Sequence, residues 1–452
     1  MCFIYWIQKG VVDLEPMYHP ASWQVTAAVV IFLAAYAIII TEKINRTVIA
    51  LFGAVIMIVL GVLDMKLAFA EHIEWETIFL LIGMMILVGI TNKTGVFQYA
   101  AVKAAQAAKG DPIKIFIILS VLTGIGSAFL DNVTTVLLTV PITFSITRIL
   151  KITPVPFLLA EILSCNIGGT ATLIGDPPNI MIGSANPNLT FNDFLINLAP
   201  VILVILAVTI ALLVWIYRKK LIVDEESKKE LMALRAEDNI KDRKLMVKSL
   251  CILLLTIAGF ILHSVINVEA AVIALGGATL LMLIGVKRED AEAAFDMVEW
   301  ETIFFFIGLF MLVGGLIETN IISNLANFTL QLTSGDMTKT SMLILWVSGI
   351  ASATIDNIPY VATMIPLVQD IGVQMNIANP DDLNPLWWSL SLGACLGGNG
   401  TLIGASANVV VAGLAMREGK GFSYMDYLKI GAPLTLVALV ISTLYIYFIV
   451  LP

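Results

Sequence analysis

The sequence predicts an all-α, polytopic membrane protein built from two related halves. Three observations carry that prediction. The chain of 452 residues is 59% hydrophobic and only 13% charged, about half the charged share of a soluble protein. Its apolar residues gather into runs of about 18 to 20, the length a helix needs to cross a bilayer. And a set of short motifs returns once, at a nearly constant spacing.

Ten spans follow from the apolar runs, at 24–41, 47–63, 77–92, 157–186, 198–217, 249–266, 271–286, 302–317, 387–415 and 431–450. Two longer apolar segments, 114–148 and 339–371, are each interrupted by a polar tip and read as re-entrant hairpins. The amphipathic stretches 95–109 and 320–333 precede them and read as interfacial helices. The start of the chain, MCFIYWIQKG, lacks the basic opening and small-residue cleavage site of a signal peptide and reads as mature sequence.

The repeat is explicit. EWETIF at Glu74–Phe79 returns at Glu299–Phe304, Asp131-Asn132 as Asp356-Asn357, and Pro141 as Pro366. Thr172-Leu173-Ile174-Gly175 returns as Thr401-Leu402-Ile403-Gly404, and Asn179 as Asn408. The chain therefore divides into an N-terminal extracytoplasmic segment (1–23), a first half (24–217), a charged linker (218–248) and a second half (249–452). The linker reads as a solvated connector that packs on nothing. Lysine and arginine set the orientation. With the linker in the cytoplasm, all of the 26 basic residues except Lys9, Lys66 and Lys339 fall on its side, and both termini are extracytoplasmic. Each half holds five spans, an odd number, so the second half enters from the opposite side. Such inverted-topology repeats are typical of secondary transporters.

Two spans break themselves at matched places, GGTATLIGDPPN (Gly168–Asn179) and GGNGTLIGASAN (Gly397–Asn408). Unpaired backbone in hydrocarbon costs several kcal/mol, so such a break survives only inside protein or beside water. Its exposed amides and carbonyls carry partial charge that can hold ions or polar solutes. The two breaks and the two hairpin tips, FLDNVTT (129–135) and TIDNIPY (354–360), should converge on one polar chamber. Asp131, Asp356, Asp176 and Glu161 are the candidate proton or cation ligands, because carboxylates inside a membrane are costly and tend to be functional. Asn132, Asn357, Asn166, Thr170, Thr172, Asn179, Asn399, Thr401, Ser406 and Asn408 are the candidate neutral contacts to a solute. Gly168, Gly169, Gly175, Gly397, Gly398 and Gly404 let the backbone approach it. Ala405 stands where the first half has Asp176, which suits one ion site rather than two.

The four cysteines show neither metal-type spacing nor a disulfide pattern. No metal site and no cofactor are expected. Cys165 and Cys395 each precede a glycine pair. A thiol suits soft metalloids, although a buried cysteine more often acts as a small apolar residue. The net charge of −8 gives no sign of a nucleic-acid partner.

GGTATLIGDPPN, the two Asp-Asn tips and ACLGGNGTLIGASAN together resemble the ArsB/NhaD group of the ion transporter superfamily: arsenite permeases, sodium/proton antiporters and the melanosomal P protein. The resemblance runs from about Trp23 to Leu451. It implies a scaffold domain and a mobile transport domain, an elevator motion, a homodimer in the cell membrane, and coupling to H+ or alternatively Na+. It makes a proton-coupled exporter of arsenite or antimonite the leading expectation, with an ATPase subunit as partner if the protein is a pump. Sodium/proton antiport and organic or inorganic anion transport are the alternatives. Dicarboxylate symporters of the superfamily carry Ser-Asn-Thr at the tips where this chain has Asp-Asn-Val and Asp-Asn-Ile. No basic residue in the tips or breaks offsets those carboxylates, which argues against simple dicarboxylate uptake. An ion channel is a distant alternative, and an intramembrane aspartyl protease would use paired Asp as well. The inverted repeat supports neither, and an enzyme is not expected.

Overall fold

The computed structural model describes residues 20–41, 43–287 and 291–451, so most of the expected segment 1–23 lies outside the described residues. Every regular element among the described residues is helical, and eight helices are long and apolar enough to cross a membrane. The chain separates into two compact units.

One unit holds the residues up to Ile73 together with Phe304–Leu325. Helix α1 (Ser22–Thr41) packs on α2 (Arg46–Val59), whose first turn is capped by Asn45. A π-helical turn at Ala68–His72 follows, which the sequence pattern did not reveal. Helix α2 lies against the part of Trp300–Glu318 that belongs to this unit. A Cβ at Gly308 would come within 2.7 Å of the Leu51 amide nitrogen, and one at Gly315 within 2.3 Å of Met57 Sδ. Arg46 stacks over the Phe305 ring at 4.8 Å. His72 Nε2 lies 3.0 Å from Glu318 Oε1.

The other unit, Glu74–Ile303 with the residues from Ala326 onward, contains every candidate site residue. Helix α3 (Trp75–Lys93) mirrors the packing just described: Gly83 sits against the Ala274 backbone, where a Cβ would meet the carbonyl carbon at 2.6 Å. Helix α4 (Val96–Ala107) turns its apolar face, Ala101, Val102 and Ala105, into the core. Helices α5 (Pro112–Phe129) and α6 (Asn132–Ile149) are joined by two residues, and both pack on α7 (Val155–Gly169). Backbone separates α7 from the short α8 (Pro177–Ser184), after which the capping box Thr190–Asp193 starts α9 (Phe191–Tyr217).

Then comes the linker. It does not float. Its helix α10 (Glu225–Met232), capped by Asp224, buries Leu231 completely, and Leu221 and Ala236 are buried as well. Gln106 Nε2 donates to Leu234 O at 2.7 Å, and the Lys241 amide to Thr94 O at 2.9 Å. The expectation of a connector that packs on nothing is corrected. A few spaced apolar residues suffice to seat a charged segment on a protein surface.

The second half repeats the sequence of elements: α11 (Arg243–Ile266), α12 (Ala270–Gly285), α13 (Trp300–Glu318), α14 (Ile321–Thr333), α15 (Met337–Thr354), α16 (Asn357–Gln374), α17 (Asn384–Gly397), α18 (Ser406–Arg417) and α19 (Tyr424–Tyr445). The helix starts are repeated too. Asp111 and Asp336 cap α5 and α15, and the capping box Ser423–Asp426 of α19 answers Thr190–Asp193. The halves interlock. Helix α8 of the first packs on α16 of the second, and α18 of the second packs on α6 of the first. That exchange carries both breaks to one place.

Candidate functional site

Each half builds its break in the same way. Glycine lets α7 meet α5 backbone to backbone: a Cβ at Gly168 would lie 2.0 Å from Gly124 O, and one at Gly397 would lie 2.6 Å from Gly349 O. The loops are then tied down by side chains. Thr172 donates to Ala128 O, and Thr401 donates to Ala353 O at 2.5 Å. Asn179 Nδ2 donates to Thr170 O and Thr172 O at 3.1 and 2.9 Å. Asn408 Nδ2 donates to Gly398 O and Thr401 O at 2.8 and 3.0 Å. These bonds replace the helical ladder that Pro177 and the glycines interrupt. Thr172, Thr401, Asn179 and Asn408, expected as solute contacts, thus have their donors occupied in holding backbone. Thr170 likewise donates to Asn166 O at 2.7 Å.

The loops meet through Asn166. Its Nδ2 donates to Asn399 Oδ1 at 2.8 Å and to Asn408 Oδ1 at 2.9 Å, while its Oδ1 accepts from Asn132 Nδ2 at 3.2 Å. Asn399 Nδ2 reaches back to Leu163 O at 3.2 Å. On the other side Ser391 donates to Asn179 Oδ1 at 2.6 Å, and the Cys395 thiol points at the same atom from 3.7 Å. The Cys165 thiol donates to Ser127 Oγ and to Asn132 O, each at 3.3 Å. Both cysteines are buried beside the site.

The carboxylates are placed differently. Asp131 and Asp356 are N-caps: Asp131 Oδ1 accepts the Thr134 amide at 2.9 Å, and Asp356 Oδ1 accepts the Ile358 amide at 3.1 Å. The sequence motif Asp-Asn at a helix start is therefore also a cap, which compensates part of the cost of the charge. Asp356 additionally accepts the Ser406 hydroxyl at 2.7 Å. The matching residue opposite Asp131 is Pro177, which has no donor. Asp176 is only 1% exposed, and its side chain does not cap its own helix. Its hydrogen bonds from Asn357 Nδ2 are long, 3.4 Å to each oxygen. Cys395 and Asn132 also face it, and Asp356 is near enough to repel it.

Glu161 stands apart from this group. It is buried among the core residues of α5–α7, accepts the Thr143 hydroxyl, and has no partner for Oε2 among the described residues. Among the described residues no three His, Cys, Asp or Glu side chains form a metal-holding cluster.

Several contributors were missed in the sequence. Ser127, whose hydroxyl donates to Asn132 Oδ1, and Ser352, which donates to Ala394 O at 2.5 Å, occupy equivalent positions. The repeat spacing alone would have paired them. Tyr427, which donates to Asn399 O at 3.1 Å, had no such signal.

Comparison with known proteins now places the chain. The model of the citrate transporter family, CitMHS, matches residues 36–393. The chain belongs to that family. A transporter of Mycobacterium tuberculosis H37Rv, described as uncharacterized, is 43% identical over 431 residues, covering 94% of this chain and 99% of its own. The mouse P protein is 34% identical over 502 residues, which is 94% of this chain and 60% of the P protein. The crystal structure of the YdaH transporter of Alcanivorax borkumensis superposes with a TM-score of 0.58 over 94% of this chain and 97% of that one, at 11% identity, a likeness of fold alone. This citrate transporter family member is a membrane transporter and not an enzyme.

Proposed function

We propose that this family member is a cation-coupled secondary transporter whose central site binds H+ or Na+ at Asp176, with Asp356 and Asp131 completing the field. One observation carries the reading. Asp176 is buried, held by two long amide contacts, and has a carboxylate rather than a basic group as its charged neighbour. A charge in that position costs several kcal/mol unless a proton or a cation neutralises it. Hard cations favour oxygen ligands, and carboxylates, the Ser406 hydroxyl and break carbonyls supply them. Asn132, Asn357 and Ser406 then orient the ion and its solute. Asn166, Asn399, Thr170, Thr172, Thr401, Asn179 and Asn408 hold the loops.

The likeness to the ArsB/NhaD group keeps a neutral hydroxide, arsenous or antimonous acid, as the leading exchanged solute, with Cys165 and Cys395 close by. The family match favours a second reading, an organic anion such as citrate carried together with its cation, because the site offers no basic residue of its own. Inverted repeats, an elevator movement, a homodimer, a cytoplasmic linker and an ATPase partner belong to the same proposal.

Proteoliposomes with an interior pH dye, challenged with sodium, arsenite or citrate under an imposed pH gradient, test it. Solute-dependent proton or sodium movement that is lost in Asp176→Asn is the expected result. Solute movement with neither ion, or unaltered in Asp176→Asn, overturns it.

A further inference from the structure

Glu161 is the buried carboxylate that the central site does not use. It is 1% exposed, Thr143 donates to one oxygen, and the other oxygen has no partner among the described residues. One helical turn on, the buried Ser164 hydroxyl has no partner either, nor have those of Thr123 on α5 and Thr135 on α6. Gly124, the residue after Thr123, brings α5 against α7: a Cβ there would lie 3.3 Å from Ser164 O. Thr135 and Thr143, the partner of Glu161, belong to one row on α6. Thr135, Thr139, Thr143 and Thr147 follow one another at intervals of four along α6 and share a face. Thr139 donates to Thr135 O at 3.2 Å, and Thr147 to Thr143 O at 2.7 Å. The row starts beside Asn132, at the central site, and runs toward Lys151, whose charge acts on Asp224, the cap of linker helix α10, and α10 packs on α6.

The second half has no such row. Its residues at the four positions are Tyr360, Met364, Val368 and Gly372, Glu161 is answered by Leu390, and Ser164 by Gly393. Leu390 and Val368 are fully buried. The fold therefore tolerates an apolar pair where the first half keeps a half-satisfied carboxylate, and a packing role does not explain the carboxylate. Among the described residues no lysine, arginine or histidine forms an ion pair with it. Of the ionisable groups on the helices around it, Cys165 lies on its own helix, Tyr217 on α9 and Tyr427 on α19. At the helix ends, Lys114 and Arg148 are exposed and pair with Asp111 and Glu418, and Arg417 is exposed.

We propose that Glu161 is a second proton site, standing between the linker face and the central site, through which protons enter and leave from the linker side. A proton from water adds to Oε2 and turns the carboxylate into a neutral acid. The new O–H needs an acceptor, and the unpartnered Ser164 hydroxyl lies one turn along the same helix, while the threonine row runs from Thr143 toward Asn132. Repeat asymmetry makes the path one-sided. The inference rests on the proton-coupled reading of the central site, and the test separates the two.

Infrared difference spectra of the full-length protein between about pH 5 and pH 9, a range that brackets a perturbed carboxyl group, should show a neutral-acid carbonyl band that grows on acidification. Glu161→Gln should remove one component. So should the double variant Glu161→Leu with Thr143→Val, which restores the apolar pair of the other half and should fold at least as well. Asp176→Asn should leave that component in place. A component unchanged in both Glu161 variants overturns the proposal, as does one that is constant with pH or responds only to sodium. In proteoliposomes carrying sodium, arsenite or citrate gradients, Glu161→Gln should slow solute-dependent proton movement at least about tenfold, a barrier increase of about 1.4 kcal/mol. Absence of proton movement in the unaltered protein counts against the coupled reading of the central site, while the infrared band still decides Glu161.

Discussion

The loops Gly168–Asn179 and Gly397–Asn408 have the same skeleton and different charge. Both rest a glycine on a glycine of the preceding hairpin, both tie a threonine to the tip of that hairpin, and both staple two carbonyls with one asparagine. They differ at five positions, and the two that change charge or donors beside the carboxylates are Asp176 against Ala405 and Pro177 against Ser406. Both halves carry what an interrupted helix needs in order to exist in a membrane. The carboxylate that the skeleton does not need occurs once. Charge at this site is thus a choice of function laid over a conserved solution to backbone pairing.

The sharpest way to break that comparison is at the glycines. Gly168→Ala places a methyl group 2.0 Å from Gly124 O, and Gly397→Ala places one 2.6 Å from Gly349 O. Both neighbours are backbone and cannot rotate away. We expect Gly168→Ala to cost about 3 kcal/mol or more, at the upper end for overpacking, and Gly397→Ala to cost less. Gly413→Ala in α18, where nothing lies within 4 Å, should be neutral or stabilise by up to about 1 kcal/mol. Thermal unfolding in detergent ranks the three, and a Gly168→Ala protein as stable as Gly413→Ala would show that the skeleton is not close-packed.

Next come the charges. Asp176→Asn should reduce cation- or proton-linked transport at least about a hundredfold, about 2.7 kcal/mol in the barrier. It should leave the unfolding temperature unchanged or raised, because it removes a buried charge. Ala405→Asp is the converse, placing a carboxylate in the matching position of the second loop. If it restores cation-dependent stabilisation to Asp176→Asn, the halves are interchangeable and the single charge is a matter of number. If it does not, position decides.

These differences were only partly legible in the sequence. Glycine, proline and Asp-Asn pairs announce themselves because each acts locally, through a dihedral, a missing donor or a cap, and the helical breaks fall on them. Apolar run length announced the membrane helices for the same reason. The sequence could not distinguish an asparagine that staples a loop from one that faces a solute, because that depends on which carbonyl lies opposite. Asn166 contacts residues more than 230 positions away. Thr143 finds Glu161 across a helix pair, and the linker's seat depends on the shape of the surface beneath Leu231.

The staples give a smaller, symmetric effect. Asn179→Ala and Asn408→Ala each leave two buried carbonyls without a donor, at about 2 kcal/mol apiece. Equal losses in unfolding temperature would confirm that the skeleton is duplicated in energy as well as in geometry. A markedly larger loss for Asn179→Ala would mean that the bonds its Oδ1 accepts from Ser391 and Cys395 outweigh the one Asn408 Oδ1 accepts from Asn166.

The smallest effect belongs to the linker, which has no counterpart in either half and so sets the baseline for both. Lys103 donates to Glu237 across 2.8 Å, which holds the Glu237 carboxyl below its ordinary range and raises Lys103. The Ser227 amide does the same for its cap, holding Asp224 low. For both carboxylates the folded value lies below the unfolded one. Their contribution is present above the ordinary carboxylate range and is lost as pH falls through the folded value. Lys103 moves the other way, and its contribution is lost only as pH rises through its raised value. All of these groups are exposed and screened by salt. Limited proteolysis within 218–248 should therefore quicken at about pH 3, below the ordinary carboxylate range. Lys103→Ala should quicken it at neutral pH, and neither change should move global unfolding. If acid loosened the linker and the membrane helices together, the linker would be part of the same cooperative body as the breaks, and the separation of skeleton from charge would have to be extended to it.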